Sequence, residues 1–219
     1  MRPPMHVAII DCGAGNLHSV RKAIMSQLPE SATLSVVTDA EALRSATHIV
    51  LPGVGAFADC MQGFAALPGM RDALETAVLH EKKPFLGICV GMQMLFTRGY
   101  EHGEHAGLGW FRGDVRLIAP SDPSLRIPHM GWNQLQIKQP STPLLADIAQ
   151  STHVYFVHSY AATDCNPAEV LATVDYGGPV VALIGRDNIM GTQFHPEKSQ
   201  ATGLRMIQNF LKRSRESRM

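Results

Sequence analysis

The chain has no net charge, because its 19 Lys and Arg residues cancel its 19 Asp and Glu residues. A field strong enough to hold nucleic acid or an anionic membrane by bulk electrostatics is therefore excluded. Long apolar runs are also missing. Stretches such as Val7-Ala8-Ile9-Ile10 fall far short of the roughly 18 consecutive apolar residues that a membrane helix needs. The start Met1-Arg2-Pro3-Pro4-Met5-His6 has no charged head, apolar stretch and cleavage site of a secretory signal, so the expectation is a soluble, cytoplasmic protein. The four cysteines, Cys12, Cys60, Cys89 and Cys165, form no C-x-x-C pair, which argues against a zinc ribbon or a disulfide scaffold. No repeat, low-complexity tract or linker divides the 219 residues, a length that suits one domain spanning 1–219.

What is present is a regular alternation. Short Val- and Ile-rich runs at His6 to Asp11, Thr33 to Val37, His48 to Leu51 and Phe85 to Ile88 alternate with stretches of helical spacing. In the first of these stretches, Asn16 to Leu28, Leu17, Val20, Ile24 and Leu28 share a face, and Pro29 ends it. Phe57 to Glu81 holds one or two more helices around Pro68-Gly69. This is the pattern of β-α units on a parallel sheet. After about Gly107 the pattern changes to strands separated by Gly, Pro and Asn: Asp114 to Ile118, Gln134 to Ile137, Val154 to Val157, Val170 to Val174, Val180 to Ile184 and Ile189 to Gln193. A last helix is expected over Gly203 to Arg213, and the basic Lys212-Arg213-Ser214-Arg215 end reads as its solvated terminus. The fold class is α/β, a central, mostly parallel sheet flanked by helices, with an antiparallel addition in the second half.

The chemistry concentrates at Gly87-Ile88-Cys89-Val90-Gly91, between a strand and the helix that begins near Met92. Gly-x-Cys-x-Gly in that setting is a nucleophile elbow with sulfur for oxygen, a turn so sharp that the residues two before and two after the nucleophile must lack bulk. A thiol at a helix N-terminus is shifted toward thiolate, but attack on an amide also wants a base that returns a proton to the leaving group. Of ten histidines, those such as His48, His80 and His102 read as surface or satisfied half-buried residues. His195 stands out, because Gln193-Phe194-His195-Pro196-Glu197 ends an apolar strand on a stiff extended segment. Glu197 is placed to orient the imidazole, the task of a third triad member. For the developing oxyanion, the glycine-rich Gly53-Val54-Gly55 segment after the strand at His48 to Leu51 and the amide of Val90 are the candidate donors.

Two other motifs carry less. Asp11-Cys12-Gly13-Ala14-Gly15-Asn16-Leu17-His18 sits where a dinucleotide fingerprint would, but His18 replaces its third Gly. His102-Gly103-Glu104-His105 offers two metal ligands without a third and reads as a solvated loop. Neither a cofactor nor a metal is expected.

A Gly-rich oxyanion loop, a Cys elbow and a late His-Pro-Glu, in that order, resemble the class I (triad) glutamine amidotransferases. The resemblance runs nearly end to end, and Pro128-His129-Met130-Gly131-Trp132-Asn133 and Tyr155-Phe156-Val157-His158-Ser159-Tyr160 narrow it to the glutaminase subunits of imidazole glycerol phosphate synthase. It departs from that group at Cys12, where a Tyr is usual, and at Val90, where a Leu is usual. The resemblance implies glutamine as substrate, Cys89 as nucleophile, His195 as proton relay and Glu197 as its orienter. It also implies that Gln93, Glu101, His158, Ser159 and Tyr160 hold the glutamine. A separate (β/α)8 cyclase subunit is the implied partner and receives ammonia in a heterodimer, with Asn16, Trp132 and Lys198 near the contact. The isolated subunit would be nearly inactive until that partner corrects the peptide orientation in the Gly53 to Gly55 loop. The alternatives left open are another amidotransferase subunit of the class, a γ-glutamyl hydrolase, or a catalytically silent homologue.

Overall fold

A computed structural model describes residues 4–13 and 17–213. The first half builds the expected units. Strand β1 (His6–Ile10) leads to helix α1 (Leu17–Met25), β2 (Thr33–Val37), the one-turn α2 (Ala42–Ser45) and β3 (His48–Gly53). Helices α3 (Phe57–Ala65) and α4 (Met70–Glu75) flank Pro68-Gly69, and a π-helical turn over Thr76–His80 leads to β4 (Phe85–Cys89) and the short α5 (Val90–Gln93). Gly69, at φ +67°, supplies the left-handed residue that starts α4. Helix α1 buries Val20, Ala23 and Ile24, the face that the apolar spacing marks. Strands β3 and β4 are buried along their whole length, as strands covered on both faces must be.

The second half departs more from expectation. Strands β5 (Arg98–Gly99), β6 (His105–Ala106), β7 (Asp114–Leu117), β8 (His129–Gln134) and β9 (Gln136–Ile137) are followed by β10 (His153–His158) and β11 (Tyr160–Thr163). Then come β12 (Val170–Asp175), β13 (Pro179–Arg186), β14 (Ile189–Thr192) and α6 (Gln200–Leu211). The expected single strand over Gln134 to Ile137 is really two, hinged at the buried Leu135. Strand β8 is hidden in the sequence because Pro128 and Gly131 read as breakers. Yet Gly131 at φ +124° pairs with Phe156 in the middle of the β8–β10 ladder, a place where only Gly is free of steric cost. The two-residue strands β5 and β6 carry no periodic signal at all.

The main sheet has the order β2-β1-β3-β4-β14-β13-β12-β9. Pairings from β2 through β14 are parallel, and those from β14 through β9 antiparallel, which is the mixed sheet expected. Two smaller sheets, β10-β8 and β11-β7-β5-β6, stand beside it. The decisive feature is that the late strand β14 inserts next to β4. Because β3, β4 and β14 run parallel, their carboxyl ends lie together, where open α/β sheets place their ligands. Gly53 is level with Cys89, and Thr192 is level with Ile88, so Gln193 follows alongside Cys89. No described helix is long and apolar enough to cross a membrane.

Candidate active site

Cys89 ends β4 with φ 54° and ψ −112°, a conformation that costs a non-glycine residue about 1–3 kcal/mol. The glycines around it are there for space. A Cβ on Gly91 would lie 1.9 Å from the Leu51 carbonyl oxygen, one on Gly87 2.6 Å from that of Gly91, and one on Gly53 2.6 Å from the Gly91 nitrogen. The elbow is thus pressed against the end of β3, which puts the Gly53 to Gly55 segment beside the nucleophile. The helix after the elbow is shorter than expected. With α5 spanning only Val90–Gln93, the macrodipole acting on the sulfur is that of a single turn.

His195 follows β14 in an extended conformation, φ −98° and ψ 98°, as its place before Pro196 predicts. Its amide donates to the Tyr155 carbonyl at 3.0 Å, and its own carbonyl accepts from Ser199 Oγ at 2.7 Å. Gly203 lets α6 close over this turn, since a Cβ there would meet the Pro196 oxygen at 1.8 Å. His195 Nδ1 lies 2.8 Å from Glu197 Oε1, and the Glu197 side chain is fully buried. Nε2 is left for the Cys89 sulfur, the ring's other hydrogen-bond partner. Burial opposes a charge on the ring, but the hydrogen bonds with Cys89 and Glu197 outweigh it and raise His195 to about 9.

A cleft of about 850 Å³ opens over these groups, lined among others by Val54, Gly55, Val90, Gln93, Glu101 and Ser159. His158, Tyr160 and Lys198 also reach it. Gln93 donates through Nε2 to the Tyr160 carbonyl at 2.9 Å and to Gln193 Oε1 at 3.1 Å. Glu101 is no loose solvent carboxylate: its Oε2 accepts from the Phe57 amide at 2.8 Å, capping α3. His158 is a different matter. Its Nδ1 lies 2.9 Å from the Tyr160 carbonyl and its Nε2 3.0 Å from His129 Nδ1, so neither ring nitrogen is left for a substrate.

Trp132 is 47% exposed, not a core aromatic. It stands edge-on to Tyr155 at 6.0 Å, and Lys198 Nζ lies 5.9 Å over the same Tyr155 ring. Ile127 and Met130 are exposed as well, and Pro128, next to Ile127 in the chain, lines the cleft. Asn16 lies outside the described residues, as do the Ala14-Gly15 part of the Asp11 to His18 loop and the basic end from Ser214; of that end, Lys212 is exposed as expected, but Arg213 is buried and donates to the Asp187 carbonyl. The remaining cysteines have ordinary explanations: Cys12 and Cys60 are buried, and Cys60 donates to the Val54 carbonyl. His48 is fully buried rather than half-buried, held between Thr47 Oγ1 and the Arg213 carbonyl. His102 and Gly103 are exposed, as a solvated loop should be.

The histidines set an expected pH profile for stability. Burial pushes His129 and His158 down to about 4 from an ordinary 6.5. Between those values the unfolded chain binds protons that the native state refuses, so stability falls as the pH drops from 6.5 to 4. His195, raised to about 9, does the opposite: its contribution is complete below pH 6.5 and is lost as the pH rises through 9. Thermal melts across this range should show a maximum near pH 6.5 and, in Cys89→Ala, a shallower alkaline limb. A melting temperature that is flat from pH 6.5 to 4 would contradict the buried neutral pair.

This geometry is that of a cysteine hydrolase elbow with a His-Glu pair, and the family profile described as Glutamine amidotransferase class-I matches residues 8–214. The chain belongs to that family. Solved structures of a glutamine amidotransferase (TM-score 0.70, 19% identity, 94% of this chain and 97% of that one) and of PurLQS from Thermotoga maritima (TM-score 0.70, 16% identity, 95% and 98%) share its fold. Its sequence is 54% identical over 211 residues to the imidazole glycerol phosphate synthase subunit HisH of Rhodospirillum rubrum, covering 95% of this chain and 99% of that one. The same subunit of Brucella suis is 53% identical over 214 residues, with the same coverage. Within the class, the chain is a member of the HisH family.

Proposed function

We propose that the chain is the glutaminase subunit of an imidazole glycerol phosphate synthase in histidine biosynthesis, with Cys89, His195 and Glu197 as its catalytic triad. The observation that carries this reading is Cys89 held at positive φ on the elbow with the buried His195–Glu197 pair beside its sulfur. The Cys89 thiolate attacks the side-chain carbonyl carbon of glutamine, and the carbonyl oxygen becomes an oxyanion. The Val90 amide and the peptides of the Gly53-Val54-Gly55 segment receive that charge. As the C–N bond breaks, the charged His195 gives its Nε2 proton to the leaving nitrogen, and ammonia departs from a glutamyl thioester. The neutral ring then takes a proton from water, whose oxygen displaces the sulfur and releases glutamate. Glu197 keeps the imidazole oriented and stabilises its charged form.

Gln93 and Glu101 hold the glutamine. Gln93 has both Nε2 protons engaged and so offers Oε1 as an acceptor. Glu101, steadied through Oε2, turns Oε1 toward the substrate's ammonium group. Ser159 and the Tyr160 backbone close the site, with His158 acting through Tyr160.

The ammonia passes to a separate (β/α)8 cyclase subunit docked over the cleft mouth, with Trp132 and Lys198 in the contact and Asn16 nearby. The exposure of Ile127, Met130 and Trp132, close in the chain to the cleft-lining Pro128, supports this, since large apolar side chains left in water suit a partner. The partner also sets the peptide orientation of the Gly53 to Gly55 loop, in which Gly55 at φ +92° has the necessary freedom. The test is reconstitution with the cyclase subunit, measuring glutamate release with and without the cyclase's ligand. Stimulation by the loaded partner is expected; equal rates for the chain alone and the complex would refute the gating. Trp132→Ala should weaken the complex by about 2 kcal/mol, roughly 30-fold in Kd, as an aromatic anchor does. Titration calorimetry measures this directly.

A further inference from the structure

We infer that Gln193 is a further catalytic residue, a hydrogen-bond donor to the sulfur of Cys89. Gln193 Nε2 lies 3.8 Å from Cys89 Sγ, and the residue is completely buried. The sheet register places it there, one residue beyond the Thr192↔Ile88 pair. Distance alone does not say which end of an amide faces the sulfur, but the surrounding network does. A backbone carbonyl can only accept. The Tyr160 carbonyl lies 2.9 Å from one Gln93 side-chain atom, which must therefore be the amide nitrogen. Its second proton goes to Gln193 at 3.1 Å, which must receive it on Oε1. Gln193 is then obliged to present its NH2 group to Cys89.

The Tyr160 carbonyl is itself held by a chain of fixed polarity. The Asp175 carbonyl, 2.9 Å from the Asn133 side chain, identifies that atom as Nδ2, which also donates to His129 Nε2 at 3.2 Å. His129 thus carries its proton on Nδ1 and gives it to His158 Nε2 at 3.0 Å. His158 carries its own proton on Nδ1 and gives it to the Tyr160 carbonyl. A proton added to either ring would set two donors against each other, and burial keeps both rings neutral. Strand β8 thereby steadies, through Asn133, His129, His158 and Gln93, the donor that faces the sulfur. His129 and His158 are positioning residues; Gln193 touches the reacting atom.

Its role follows from the charge cycle. Cys89 is an anion before attack and again when the thioester is hydrolysed, and a donor fixed beforehand stabilises it both times without reorganising. His195 supplies one proton to the sulfur but must give it to ammonia, so a second donor that never leaves is useful. This rests on Cys89 being the nucleophile, as proposed above.

The test uses the full chain and iodoacetamide, which needs no glutamine turnover. Gln193→Met keeps the length of the side chain and removes the donor. Alkylation of Cys89, read by peptide mass, should slow by about tenfold or more, the effect of a hydrogen bond to a charged group. In the reconstituted complex, kcat for glutamate release should fall by a similar factor while KM changes by less than about threefold. A second arm uses wild-type protein: the Gln193 side-chain amide proton should move downfield in step with the thiolate absorbance as Cys89 ionises. An alkylation rate within about twofold of wild type, in a variant that melts with wild type, would overturn the assignment. So would an amide proton that ignores the ionisation of the sulfur, which decides the matter even where the variant unfolds. A wild-type chain that alkylates at Cys89 but never hydrolyses glutamine would instead refute the glutaminase reading.

Discussion

Cys89→Ala abolishes glutamine hydrolysis, by at least about 10⁴-fold in kcat for the complex with the cyclase, the scale of losing the nucleophile of a triad. The protein should remain folded. The sulfur sits at φ 54°, where the strain belongs to the backbone and persists with any Cβ, and alanine neither adds bulk nor removes a core contact of size. Cys89→Gly relieves the strain and should melt higher than Cys89→Ala by the equivalent of about 1–3 kcal/mol. Loss of activity with gain of stability at one position is the mark of strain retained for chemistry. Glutamate release read by a coupled assay, with melting curves for both variants, checks the two halves together. Residual hydrolysis near wild type in Cys89→Ala would move the chemistry elsewhere.

The second large effect is steric. Gly91→Ala places a methyl group 1.9 Å from the Leu51 carbonyl oxygen, and backbone on backbone cannot give way as a flexible side chain can. Strands β3 and β4 must part, or the elbow must unwind. Overpacking of this kind costs about 1–3 kcal/mol or more, so the melting temperature should fall by roughly 2–12 °C. Activity should fall further than stability, because the same displacement separates Gly53 from Cys89, which face each other across the β3–β4 ladder. Gly109→Ala is a useful control: beyond its own chain neighbours, no atom lies within 4 Å of the place its methyl group would take, so any cost there comes from its φ of +72° alone. Equal losses of activity in the two variants would show that crowding at the elbow is not the cause.

Much of the site is legible in the sequence because its parts are local. Gly87 to Gly91 specifies the elbow by steric need within five residues, and His195 to Glu197 is fixed by Pro196 within three. The parallel half of the sheet is equally plain, since β1, β3 and β4 are apolar runs bounded by turns. The insertion of β14 beside β4 is a pairing about 100 residues apart in sequence, and nothing local encodes it. Gln193 is visible in the sequence as part of the strand that leads to His195, but its position beside the sulfur depends on that long-range register. His129 is similar: its partners are His158, Asn133, Phe156 and Tyr176, and only Asn133 is near in the chain. His158 shows the converse, for a polar side chain in a substrate-binding segment turns out to be occupied by the protein itself.

The central claim is that Cys89 attacks glutamine, and trapping tests it most directly. The chain, with the cyclase subunit present, is incubated with a chloroketone analogue of glutamine, digested and examined by mass spectrometry. One adduct of the analogue less HCl is expected, on Cys89, prevented by excess glutamine and missing in Cys89→Ala. Modification at Cys12, Cys60 or Cys165 instead, or an adduct on Cys89 that glutamine does not prevent, would contradict it.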